Sequence, residues 1–160
     1  MNPFNSAHRS LAIVFAVIAA SHAAHADDNR LRTAVPLMPA YAQDCAACHV
    51  AYPPGMLPSA SWRRLLNDLP RHYGTDASLD PAIVDQLATW LSANAGTYKR
   101  VRETPPEDRI TKSAWFIRKH DEVPAALWQR PAVKSAANCS ACHTQAAQGD
   151  FNEHSVRIPR

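Results

Sequence analysis

The chemistry of this chain is concentrated in two short stretches, "DCAACH" at residues 44–49 and "NCSACH" at residues 138–143. Each holds two cysteines two residues apart with a histidine directly after, and together they use every cysteine of the chain: Cys45, Cys48, Cys139 and Cys142. An even cysteine count in an exported protein ordinarily means disulfides. A bridge inside C-x-x-C, however, is a redox device rather than a structural staple. A four-cysteine zinc site accounts for the pairs but for neither of the histidines that follow them. C-x-x-C-H is the attachment signature of c-type haem, in which two thiols add to the porphyrin vinyl groups and the next histidine reaches the iron from one face. A helical turn suits this spacing because it sets both sulfurs on one edge of the macrocycle. The doubled motif therefore predicts two covalently bound haem c groups, with His49 and His143 as proximal iron ligands.

A haem iron has a second axial position, and what fills it separates electron carriers from catalysts and gas binders. Beyond the first segment of the chain the methionines are Met38 and Met56. Met56 lies seven residues after His49, in the turn-rich "YPPGMLP". That is too short a tether to pass round the haem edge easily, so loop packing is its expected role. The remaining histidines are His72, His120 and His154. His72 lies 23 residues after His49, and His120 lies 23 residues before His143. Either separation is long enough to carry a ring nitrogen to the far haem face. His72 and His120 are thus the candidate distal ligands, and His154 competes with His120 for the second iron. The ligand order is reversed between the halves, which speaks against tandem duplication of one module.

These residues must be positioned by a small amount of chain. Residues 1–26 read as a cleaved secretory signal: His8 and Arg9 precede the apolar run "LAIVFAVIAA", and the small-residue stretch "SHAAHA" follows. That run is ten residues long, whereas a bilayer-spanning helix needs about 20. The expected mature chain is exported, is not membrane-spanning after cleavage, and has 134 residues. It splits into a first haem lobe at 27–97 and a second at 98–160, with the boundary in the charged, proline-containing stretch "YKRVRETPPEDR". Lobes this small gain from a large flat apolar cofactor at their centre. Trp62, Trp90, Trp115 and Trp128 are available to pack around such rings.

Helical signals dominate and strand signals are weak. Trp62, Leu65, Leu66 and Leu69 fall on one helix face that Pro70 is expected to end. Asp80 caps a second helix, with Pro81 at its first position and Gly96 at its far end. In "WFIRKH", Phe116 and His120 are four apart and share a face if helical.

Five stretches resemble the bacterial periplasmic dihaem cytochromes c of DHC type: "CAACH", "HYGTDASLD" from His72 to Asp80, "RITKSAWFIRKH" from Arg109 to His120, "NCSACH", and "RIP" from Arg157 to Pro159. The last four are much more specific than C-x-x-C-H alone. The resemblance implies a mainly α fold of two small helical lobes, each built around a covalent c-type haem, the first similar to a class I cytochrome c. It implies bis-histidine ligation, with His49 paired to His72 and His143 to His120. It also implies a role as electron donor to an oxygen-binding monohaem cytochrome, the sphaeroides haem protein, with electrons received from a membrane cytochrome b. Tyr73 stands where the family pattern has Phe, a change expected to affect only local packing.

The resulting expectation is a periplasmic, low-potential electron-transfer protein and not an enzyme. The alternatives are a small peroxidase-like dihaem enzyme or a haem-based gas binder, either of which needs one open iron position. Nucleic acid is excluded as a partner, because no basic run is interleaved with stacking aromatics. The charge is polarised. Residues 27–97 carry five bases against seven acids, and residues 98–160 carry eleven bases against seven acids. Such a dipole can orient an acidic redox partner towards the second lobe.

Overall fold

The structure, a computed structural model, describes residues 35–99 and 101–160. The expected signal peptide, the bases Arg30 and Arg32, and Arg100 of the boundary stretch lie outside the described residues. Within them the fold is helical and has no strand; the β-type pairings are the isolated bridges His72–Thr75 and His143–Val156. No helix among the described residues is long and apolar enough to cross a membrane.

The first half is organised by two α-helices, α1 (Ser59–Leu66) and α2 (Pro81–Asn94). Their apolar faces meet in a core of Trp62, Leu66, Leu69, Leu87 and Leu91, closed by Tyr41 and Leu57. The Asp80 carboxylate accepts from Ala82 N–H at 2.8 Å and Pro81 opens α2, so the expected cap forms. Pro70 does not end α1. That helix stops at Asn67, and Leu69 reaches the core from a separate 3-10 turn, Leu69–Arg71, that contains Pro70. Gly96 also has a different job from closing α2. Its N–H donates to Leu57 O at 2.8 Å, and a Cβ there would lie 2.5 Å from Gly55 O. The absence of a side chain lets two loops touch.

The second half has only two short α-helices among the described residues, α3 (Ala114–Lys119) and α4 (Ala125–Trp128), flanked by 3-10 turns. The Ser113 hydroxyl caps α3 by accepting from Phe116 N–H at 3.2 Å. Its apolar cluster of Val101, Trp115 and Phe116 includes Met56 from the first half, which is 3% exposed. Met56 is therefore a packing residue, as its short tether suggested.

Candidate haem sites

The first motif begins at the end of a π-helical turn, Tyr41–Cys45, and the second begins in a 3-10 turn, Cys139–Ala141. None of the four cysteines is in a disulfide. Burial pushes the unattached thiols of Cys45 and Cys139 up to about 11. The C-terminus straps the second motif: Arg157 N–H donates to Cys142 O at 2.8 Å, and the Arg130 guanidinium donates to Pro159 O at 3.0 Å. This gives the "RIP" stretch a structural task.

Each motif histidine meets one other histidine. The His49 and His72 rings are 6.3 Å apart between centroids with planes at 28°. The His120 and His143 rings are 6.1 Å apart with planes at 69°. A metal held between two imidazoles needs two bonds of about 2 Å and two ring radii of about 1 Å, so roughly 6 Å between centroids. Both pairs meet that requirement. Burial, with the neighbouring His49 second and Arg109 third, holds His72 below the ordinary histidine range. Burial and then His120 do the same for His143, opposed by Asp150. Both rings are thus neutral at pH 7, the form that binds metal.

The rings are oriented unequally. His49 donates from Nδ1 to Val50 O at 2.7 Å and stacks on Tyr52 at 4.7 Å. His120 follows the last turn of α3, where Nδ1 bonds Phe116 O at 2.9 Å and the ring stacks on Phe116 at 4.0 Å. Such outer bonds leave Nε2 as the metal-binding atom and raise its basicity. By contrast, Nδ1 of His72 and Nδ1 of His143 are buried without a protein partner, as is the Trp115 indole N–H. The indole is a donor that a haem carboxylate would satisfy, so the residues present fit two haems.

His154 is elsewhere. It is exposed on the 3-10 turn Glu153–Ser155 and lines a polar cavity of about 270 Å³ with Thr144, Asp150 and Arg157. The structure brings His120 to His143 and leaves His154 apart.

Tyr52 escaped the reading of the sequence. Its hydroxyl donates to Ala137 O at 2.8 Å, two residues before Cys139, while its ring stacks on His49. Burial, with the Cys139 thiol next, raises its phenol far above the usual range and keeps it a donor. A cavity of about 770 Å³ is lined from both motifs, by Cys48 and His49 and by Cys139 and Ser140, and also by Tyr52. The available signal was its position three residues after a motif histidine, but a contact spanning 85 residues leaves no local pattern.

Residues 41–151 match the dihaem cytochrome c family, DHC. Among solved structures, the chain is similar to the diheme cytochrome c of Shewanella baltica at 38% identity and TM-score 0.66, over 76% of this chain and 92% of that one. It is also similar to two structures of the diheme cytochrome c of Rhodobacter sphaeroides, at 44% and 43% identity and TM-score 0.63, over 71% of this chain and 96% of each of those. None of the curated proteins compared with the chain matches it.

Proposed function

The chain belongs to the dihaem cytochrome c family and carries two covalent haem c groups, and from that premise we propose that it is a periplasmic, low-potential electron carrier. In this reading Cys45, Cys48, Cys139 and Cys142 carry the thioethers, and His49 with His72 and His143 with His120 hold the irons. Residues 27–97 and 98–160 form the two haem lobes. The observation that carries the proposal is the pair of facing imidazoles at 6.3 and 6.1 Å. Each haem supplies an iron that gains or loses one electron at a time. The chain's own residues would fill both remaining positions of each iron: two ring nitrogens would leave none for peroxide or oxygen, which favours a carrier over a peroxidase or gas binder.

The potential follows from the donors. Imidazole stabilises ferric iron better than a thioether does, and Met/His ligation raises the potential. Met56 is packed in an apolar cluster, and the outer bonds of His49 and His120 strengthen their rings as donors. Both midpoints are expected to be negative by spectropotentiometry. A clearly positive midpoint for either haem would remove the all-histidine assignment. The ferric protein is also expected to give two distinct low-spin EPR signals. Near-parallel ring planes at 28° separate the iron d orbitals of π symmetry strongly, and crossed planes at 69° separate them little.

The partner in this reading is an acidic electron acceptor, such as an oxygen-binding monohaem cytochrome, that docks on the second lobe; a membrane cytochrome b reduces the first. Arg118 and Lys119 are exposed on the last turn of α3, beside His120. A transient redox complex gains mainly association rate from such charges. Arg118→Glu with Lys119→Glu is expected to slow delivery to the acceptor about tenfold at low ionic strength, within the range of electrostatic steering. It should also flatten the salt dependence, since exposed charges are screened beyond about 10 Å at 0.1 M salt. Stopped-flow mixing with an unchanged rate and salt slope would place the docking face elsewhere.

A further inference from the structure

Tyr73, directly after His72, has a φ of 51°, a left-handed conformation that is costly for an aromatic residue. The non-glycine residues with positive φ among those described are Tyr73, Glu107, Asp108 and Lys134. The first three meet at one junction. The Tyr73 hydroxyl donates to Glu107 O at 2.8 Å, and the Arg109 guanidinium lies 3.9 Å from the centre of the Tyr73 ring. Arg109 and Lys112 both pair with the Glu107 carboxylate. Arg64 of α1 grips Asp108 with two bonds, at 2.8 and 2.6 Å. Strained backbone of this kind persists only where its surroundings over-determine it.

His72 needs such a hold. A ligating histidine ordinarily donates its second ring nitrogen to a carbonyl or carboxylate, which fixes the ring. His120 has that bond to Phe116 O, and His143 is tied down by the cysteine beside it. His72 has neither: its Nδ1 meets no protein acceptor, and its ring contacts are His49 and Tyr73, the latter at 4.9 Å. We propose that Tyr73, through its hydroxyl bond to the Glu107 carbonyl and the Arg109 guanidinium against its ring, is the positioning residue that keeps His72 on the first haem iron. Loosening it makes that iron a binding site for small neutral diatomic ligands while the second iron stays closed. This rests on the reading that His49 and His72 share one iron.

The test is slow displacement by saturating carbon monoxide in the reduced holoprotein, followed at the Soret band. Tyr73→Phe keeps the ring and its volume and removes only the hydroxyl bond, and Arg109→Gln removes the cation. Loss of one neutral hydrogen bond changes an equilibrium on the order of fivefold. Displacement is therefore expected to run about fivefold faster in Tyr73→Phe than in the unmodified protein, and faster again in the double variant. One carbon monoxide should bind per protein, at a rate independent of its concentration, because departure of His72 is limiting. Uptake should stay confined to the first haem, with a thermal midpoint lowered by no more than the few degrees that one lost hydrogen bond accounts for. Uptake at both haems with a falling midpoint would mean general loosening and overturn the proposal. So would unchanged rates in both variants when His72→Ala takes up one carbon monoxide at once. If His72→Ala takes up none, the assignment of His72 as a ligand fails, and the proposal fails with it.

Discussion

Carbon monoxide is expected to bind at once to reduced His120→Ala protein, one molecule per chain, and to react with reduced His154→Ala protein no faster than with the unmodified one. The His120 ring is fixed three ways: by its place after the last turn of α3, by the 2.9 Å bond of Nδ1 to Phe116 O, and by the stack on Phe116. Its removal leaves a gap that alanine cannot fill and no other imidazole within reach. His154, exposed on its own turn, would have to carry the C-terminal strap with it to replace His120. That strap is held by Arg157 N–H on Cys142 O and by the Thr144 hydroxyl on Ser155 O at 2.8 Å. The opened iron is also expected to become high-spin and its midpoint to rise, because a strong donor to ferric iron has gone. Uptake after the His154 change and none after the His120 change would show the pairing to be wrong.

The second large effect is on folding. Protein made with Cys139→Ser and Cys142→Ser, and so without the second covalent haem, is expected to lose the ordered structure of residues 101–160 while α1 and α2 persist. The helices of that half span six and four residues, and isolated helices shorter than about 12 residues are marginal in water. Its buried apolar side chains among the described residues are Val101, Trp115, Phe116, Leu127, Val133 and Ala146, few for a unit of this length. Below about 70 residues a core rarely suffices without a staple. The first half has a 14-residue helix packed on a second one over seven buried side chains and depends less on its cofactor. Amide hydrogen exchange reads the outcome: protection should vanish around α3 and α4 and remain in α2. Equal protection in both halves would show that the haem is not the core of the second.

How much of this was legible in the sequence depended on how local each feature is. Covalent attachment requires two thiols and an imidazole within one turn of chain, so Cys45, Cys48, His49, Cys139, Cys142 and His143 stand as contiguous words. The Asp80 cap and the Phe116–His120 spacing are local in the same sense, being set by helical geometry over a few residues. The helical class was legible from the same periodicities. Pro70 and Gly96 were visible as breakers, but their tasks were not. A proline inside a 3-10 turn and a glycine at a loop crossing look the same in sequence as a helix stop and a helix cap.

From the sequence alone came the chemistry: two haems, two motif histidines, and a short set of further residues as candidates to complete each iron. Tertiary structure alone decided which of these meet. Spacing left both His120 and His154 within reach of the second iron, because a tether limits distance without giving direction. Direction came from the Phe116 stack and the C-terminal strap. Tyr73, read as a packing change, proved to donate its hydroxyl across 34 residues to Glu107 O, and Tyr52 across 85 to Ala137 O. A phenol's apolar body and its polar tip can serve different parts of the chain, and only the fold brings to that tip the carbonyl it bonds.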